Sequence, residues 1–373
     1  MSIIPDCTLT TACFCVHEKN NNSFSIEKII ENSEELLRVP CYLVIYGDNK
    51  TIPLLKEIRE KNGLVYLTKF ITLELSQLWT YAYESKVNEN RNLYWPTRDP
   101  RAQTDSHLIT CNKFDFVLQV INSNPFNTSK FGWVDCFLRK NSSKICENYN
   151  VNKFLYVLNN INEKYHIQVL NCCDKKYKQP EFKREYYEQY RWVVCGCLFT
   201  CGKEIGIKIL TRLKEIFVET TNLGYGHGEE MLYLEILDEF YDDIHRSYGD
   251  YGQILNNFIE PTNNYHYIYW LILNTYQNFG YNKECYDCAK ILLKQIESYK
   301  VEMNWGLYMS ILFSYYVSAT YINRDDAINI AKRIYSVCYN NHYMKKEFCA
   351  NYDFYVSQLN IVYQFSFWEN INN

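Results

Sequence analysis

The sequence predicts an α/β fold with a mostly parallel sheet, followed by an all-α tail of helical hairpins. Two patterns carry this reading. Strand-length apolar runs alternate with helical periodicity from the N-terminus to about Asp135, the rhythm of βαβ units. Beyond Pro261-Thr-Asn-Asn264 the strand signals stop and helix follows helix. Three segments result: α/β halves over 1–142 and 143–262 and a helical domain over 263–373.

The elements follow in order. Leu9 to Val16 is short, apolar and rich in Thr, Cys and Phe, which predicts a strand. Ser25-Ile-Glu-Lys opens an amphipathic helix through Leu37. Pro40 to Asp48 predicts a buried strand stopped by a Gly-Asp turn. Thr51-Ile-Pro starts a helix ending near Asn62-Gly63, and Leu64 to Leu67 predicts the next strand. Glu84 to Arg101, polar and proline-containing, predicts a long loop. Ser106 to Ser123 predicts a helix broken by Asn124-Pro125, and Phe131 to Asp135 predicts a strand. Further on, Trp192 to Gly202 reads as a strand, and Glu204 to Val218 and Glu229 to Ile244 read as helices. The tail predicts helices at 266–278, 283–299, 305–321, 324–339 and from Lys345 onward. Ala289-Lys290 and Ala331-Lys332 occupy matching places in two of them, the mark of a helical-hairpin repeat.

Composition narrows the function. The 373 residues are 47% apolar and 22% charged, enough to bury a sizeable core. Thirty-nine basic residues against 43 acidic ones give a net charge of −4, which argues against a protein that coats nucleic acid or anionic membrane. No apolar run predicts a transmembrane segment or a secretory signal. Many of the 16 Cys lie within apolar runs, where free Cys behaves as a small hydrophobe. A reducing, cytoplasmic compartment is therefore expected. The single Cys-x-x-Cys, Cys285 to Cys288, sits in a helical pattern without a second pair at zinc-finger spacing.

Two places carry chemistry on residue grounds. Asp135 ends an apolar strand, where open α/β sheets bind ligands and where a carboxylate can hold a cation on diphosphate oxygens. A turn-starting Asp is the bland alternative. The second place is Gly224-Tyr-Gly-His-Gly-Glu-Glu230, a glycine-rich loop running into a helix. Helical periodicity puts Tyr233, Ile236, Leu237, Phe240 and Ile244 on one stripe and Glu235, Asp238, Glu239 and Asp242 on the solvated side. Glu229 and Glu230 fall toward the apolar stripe, where carboxylates are costly unless they serve a site. Helix N-terminal electrostatics is the competing explanation. Gly196 interrupts an apolar strand, which marks a bulge or a close ligand approach. His227 and Lys113 are weaker: a turn histidine and a solvated lysine explain them alone.

Taken together, these pieces resemble the HtrL/YibB-type proteins of bacterial surface-polysaccharide loci and giant DNA viruses. The pieces are Thr10-Thr-Ala-Cys-Phe14, Leu43 to Asp48, Lys113 before Asn124-Pro-Phe-Asn-Thr128, and Phe131-Gly-Trp-Val-Asp135. Gly196 to Gly202 and Gly226-His-Gly-Glu-Glu230 complete them, so the resemblance spans about 8–262. It implies a GT-A-like (Rossmann-like) mixed sheet flanked by helices and a glycosyltransferase that uses a nucleotide-sugar donor, UDP-sugar favoured. It places Thr10, Thr11 and Asp48 at the nucleoside, Lys113 near the phosphates, and Gly196 and Gly202 beside the sugar. Asp135 matches the last carboxylate of the metal motif, and Trp133 stands where the first belongs. A divalent cation, Mn²⁺ or Mg²⁺, would then rest on Asp135 and His227. Glu230, with Glu229, matches the acidic pair that supplies the general base in inverting members. The acceptor would be a glycan or protein hydroxyl, and the tail helices would serve a partner or self-association. The rival readings are a non-catalytic interaction protein on a degenerate transferase fold and a nucleotide-sugar hydrolase.

Overall fold

The computed structural model describes residues 4–16, 26–93, 103–138, 150–226, 228–249, 254–258, 265–298, 300 and 302–340. The chain divides into two compact units, Met1–Ile259 and Glu260–Asn373.

The first unit is built on β1 (Cys7–Cys13), α1 (Ile26–Leu37), β2 (Tyr42–Gly47), α2 (Thr51–Lys61), β3 (Thr68–Thr72), α3 (Glu84–Leu93), α4 (Thr104–Ser123) and β4 (Lys130–Val134). It continues with α5 (Val151–Asn159), β5 (Tyr165–Val169), α6 (Lys183–Tyr187), β6 (Val194–Gly202), α7 (Lys203–Asn222), α8 (Tyr233–Glu239), β7 (Ile244–Tyr248) and α9 (Ile254–Phe258). Seven strands form one mixed sheet in the order β3-β2-β1-β4-β6-β5-β7. The pairs β2–β3, β1–β2, β1–β4 and β5–β7 are parallel, and β6 runs antiparallel to both β4 and β5. The expected mostly parallel, mixed sheet is thus present.

One sheet face is sealed by α1, α2, α5 and α9 through Leu36, Leu55, Ile58, Phe154, Val157 and Leu255, all buried. Each such side chain contributes about 1.5–3 kcal/mol by leaving water. On the other face lie α4 and α7, and α4 is buried almost all round, with Leu108, Phe114, Phe116, Val117 and Ile121 inside. Arg59 is a polar exception in the core. Its guanidinium donates to the carbonyls of Leu37, Val39 and Cys41 and to Thr68 Oγ1, tying the α1–β2 turn to β3.

Local chemistry sets the ends. Asn124 stops α4 in the left-handed conformation (φ 34°), its N–H returning to Val120 O, and Pro125 prevents continuation. Gly202 caps α7. Three expectations shift. Val65–Leu67 is a 3₁₀ turn, and the strand lies four residues later at Thr68–Thr72, where alternation is half-buried rather than apolar. Glu84–Leu93, expected as loop, is helix; Val87 and Asn90 face inward although most of the segment is polar. Glu229–Ile244 is not one helix but a 3₁₀ turn at Glu229–Leu232, then α8, then a second turn into β7.

The second unit contains α10 (Tyr265–Asn278), α11 (Asn282–Ser298), α12 (Trp305–Ile322) and α13 (Arg324–Asn340). Consecutive helices pack on one another, with Ala289 and Ala331 both buried, so the small residues at matching places allow close helix approach. Cys285 and Cys288 are buried free thiols. The expected helix from Lys345 and the boundary at Thr262 to Asn264 lie outside the described residues. Among the described residues no helix is long and apolar enough to cross a membrane.

Candidate functional site

Three structural facts bring the site together at the carboxyl end of β4. Asp135 follows the last residue of β4, and its N–H bonds to Cys197 O on β6 at 2.8 Å. The β5–β6 ladder breaks there: Cys195 pairs with Gln168 while Phe199 pairs with the adjacent Ile167, so Gly196, Cys197 and Leu198 bulge. Against that bulge lies the 3₁₀ turn carrying Glu229 and Glu230, which are only 6% and 8% exposed.

Glycine makes the fit. A Cβ on Gly196 would stand 2.5 Å from Glu229 Oε1 and 3.1 Å from Glu230 Cγ, so only glycine lets the two carboxylates lie on the strand. In the approaching loop, Gly224 (φ 92°) and Gly226 (φ 150°) adopt left-handed or mirror-region backbone that other residues avoid. Gly228 is needed for a different reason. Its φ is ordinary, but a Cβ would overlap the Tyr190 hydroxyl.

Lys113 is the centre of the electrostatics. It reaches from α4 with its side chain 2% exposed, and its ammonium donates to Glu229 Oε1 (2.5 Å), Gly196 O (3.0 Å) and Asp135 Oδ1 (3.5 Å). All three ammonium protons are spent on protein. Burial opposes the charge, but attraction to Asp135 and Glu229 outweighs it and holds the lysine above its usual range. Trp133 Nε1 donates to the same Asp135 oxygen at 2.6 Å, and its ring lies 5.2 Å from the Lys113 ammonium. Desolvation raises the Asp135 carboxyl; Lys113 pulls it down, Glu229 pushes it up, and the balance is upward. Glu230 is held differently: Tyr190 Oη donates to Oε2 at 2.9 Å, and Gly196 N–H reaches Oε1 at 3.4 Å.

The other expected residues stand elsewhere on the sheet. Asp48, at the carboxyl end of β2, lies on the same sheet edge as Asp135, across β1. Its carboxylate accepts from the backbone of Cys15, Lys50 and Thr51, so it shapes the β1 exit and the start of α2. Thr10 and Thr11 are fully buried inside β1, and neither hydroxyl has a hydrogen-bond partner. Gly202 is not part of the cluster: it pairs with Lys130 at the start of β4, the opposite end of the sheet. There it borders a separate cleft of about 560 Å³ with Thr128, Glu163, Lys203 and Lys208. His227 lies outside the described residues.

The donor set can be tested against a divalent cation. Among the described residues no group of three His, Cys, Asp or Glu is arranged to hold a metal. Glu229 Oε1 is engaged by Lys113, and Glu230 by Tyr190 and Gly196. Asp135 is the open member, its side chain 26% exposed. Among the described residues, three carboxylates gather around one ammonium. A cation held by one carboxylate and by substrate phosphates fits this set; a protein-only cage does not.

Residues 6–159 match the family described as "Bacterial protein of unknown function (HtrL_YibB)". The resemblance to the HtrL/YibB proteins holds. The HtrL_YibB-like segment contains Lys113, Trp133 and Asp135, whereas Gly196, Glu229 and Glu230 lie beyond it. No match is found among curated proteins. Among solved structures, mouse xyloside xylosyltransferase 1 in its apo form is similar over 64% of this chain and 84% of its own, at 11% identity and a TM-score of 0.35.

Tyr190 is the site residue that sequence reasoning missed. No motif surrounds it. A glycine directly before an acidic pair, Gly228 before Glu229, was the available hint that something bulky approaches there.

Proposed function

We propose that this chain is a glycosyltransferase. It moves a sugar from a nucleoside-diphosphate donor, UDP-sugar favoured, to an acceptor hydroxyl, with Glu230 as the base. The observation that carries this is the unequal treatment of two adjacent buried carboxylates. Glu229 is matched by a buried ammonium, which neutralises it and fixes it on Gly196. Glu230 instead accepts from neutral donors, Tyr190 O–H and Gly196 N–H. Adjacent carboxylates given different partners can divide the roles of an acid–base site.

The chemistry follows. Glu230 takes the proton of the acceptor hydroxyl as its oxygen attacks the anomeric carbon, and the bond to the nucleoside diphosphate breaks. Lys113 does not need to reach phosphate for this; its charge holds Asp135 and Glu229 in register with the bulge. Asp135 would hold Mn²⁺ or Mg²⁺ with the donor's phosphate oxygens, and the cation supplies neutralisation of the departing diphosphate. The mixed sheet with its carboxyl-edge site supports the reading, because ligands of open α/β sheets bind at that edge.

The test is thermal and chemical. UDP with Mn²⁺ should raise the melting temperature by mass action, and Asp135→Ala should abolish that shift, measured against the variant's own ligand-free melt, which falls because Lys113 and Trp133 lose a partner. A nucleotide-sugar panel should release free nucleoside diphosphate when acceptor glycans are added. A protein that neither responds to any nucleoside diphosphate nor turns over any donor is not a glycosyltransferase.

A further inference from the structure

We infer that Tyr190 is the positioning residue for the Glu230 carboxylate, and that Gly228 is glycine in order to admit it. This rests on the glycosyltransferase reading above, in which Glu230 is the base. Tyr190 precedes β6 and donates its hydroxyl to Glu230 Oε2 at 2.9 Å, across 40 residues of sequence. With Gly196 N–H on Oε1, the bond fixes both carboxylate oxygens, hence the plane and direction of the lone pairs.

The phenol is itself held on several sides. Its ring meets Trp192 at 4.7 Å between centroids. The residue between them, Arg191, is anchored the other way: it donates to Tyr177 Oη and Glu185 O and lies over the Tyr177 ring at 4.6 Å. Trp192 O accepts from Asn171 Nδ2, and Val193 O accepts from Leu170 and Asn171, so the backbone beneath is tied to the end of β5. The hydroxyl therefore arrives from a rigid support, the condition for holding a catalytic group within a fraction of an ångström.

Gly228 closes the argument. Its backbone angles (φ −51°, ψ 156°) suit any residue, so conformational freedom is not its reason for being glycine. A Cβ there would overlap the Tyr190 hydroxyl and stand 3.0 Å from its Cζ. The glycine-rich approach to the acidic pair thus has a steric function distinct from the turn at Gly224 and Gly226.

The experiment compares Tyr190→Phe, Gly228→Ala, the double variant and Glu230→Gln under steady-state turnover and thermal melting. Tyr190→Phe keeps the ring and removes only the hydroxyl. It should lower kcat by roughly 10–100-fold and leave the donor KM within about twofold, with a melting temperature lowered by the loss of one hydrogen bond to a buried carboxylate. Gly228→Ala should lower kcat similarly. In the Tyr190→Phe background it should add little, because the bond it disrupts is already gone. Wild-type kcat in Tyr190→Phe, or fully multiplicative effects in the double variant, would overturn the inference while an inactive Glu230→Gln preserved the base assignment. A fully active Glu230→Gln would overturn the base assignment, and with it Tyr190's role. Should Gly228→Ala fail to fold, the kcat-against-KM split of Tyr190→Phe decides alone.

Discussion

The Trp133 indole N–H donates to Asp135 Oδ1 at 2.6 Å, two residues along the same chain segment. Residues i and i+2 of a strand share a face, so Trp133 points directly at the carboxylate just past the strand's end. An acid there would add charge to a cluster already rich in it. The indole instead supplies a donor, stacks near Phe116 and presents its ring to Lys113. Trp133 therefore supports Asp135 without adding charge.

Trp133→Phe follows from this geometry. An aromatic ring is kept, though a smaller one, and the donor is lost, leaving Asp135 with one bond fewer. A hydrogen bond to a charged group contributes about 1.5–3 kcal/mol, so urea unfolding should show a loss in that range. Wild-type stability in the variant would mean that the indole bond contributes nothing.

Lys113→Met should be costlier. It leaves Asp135 and Glu229 without their shared ammonium, and removing one partner of a buried pair costs about 3–5 kcal/mol. The methionine fills most of the lysine's volume, so packing loss is minor. A melt lowered by several degrees is expected, with partial recovery in Lys113→Met/Glu229→Gln, where one stranded charge is also removed. Absence of that recovery would show that the loss is packing rather than charge.

How far the sequence foretold this depends on the physics at each place. Asp135 and the burial of Glu229 and Glu230 were legible because strand ends and helical periodicity are local signals. The partnership of Lys113 was not, although α4 gave a clue: a helix apolar nearly all round must bury whatever charge it carries. The partner was 116 residues away, and no local rule names it. Glu235, expected on the solvated side, is half-buried and ion-paired with Lys183, again because a distant segment packs over it. The polar helix Glu84–Leu93 was invisible because tertiary packing, not apolar periodicity, sustains it. Short-range physics wrote the strands and the acidic pair; long-range contacts wrote the charge pairing.

His166 sets a pH dependence away from the site. On β5 it is buried between His245 (4.3 Å) and Phe258 (3.8 Å), and its Nε2 has no hydrogen-bond partner. Burial, then repulsion from His245, drives it well below the ordinary histidine value. The unfolded chain binds that proton near pH 6.5 while the folded one refuses it, so this contribution is intact above about 6.5 and declines below it. One such group costs about 1.4 kcal/mol per pH unit in that window. Denaturant midpoints at about pH 7 and about pH 5.5 should therefore fall by more in wild type than in His166→Phe. Equal falls would remove His166 as the cause.

The decisive substitution is Glu230→Gln, which keeps shape and hydrogen-bonding capacity but removes charge and basicity. If Glu230 takes the acceptor's proton, turnover should drop by roughly 10²–10⁴-fold with donor affinity little changed. The matched control is Asp238→Asn on α8, the helix that follows, an exposed member of a surface pair with Lys178, where pairs contribute about 0–1 kcal/mol. Glu235 is unsuitable as a control because of its Lys183 pair. The competing account is that Glu230 only suits the positive N-terminal end of its turn. In that case the Gln variant should lose about 0.3–1 kcal/mol of stability and keep its rate. A melt nearly unchanged with turnover abolished assigns Glu230 to the chemistry; a stable, fully active variant removes it.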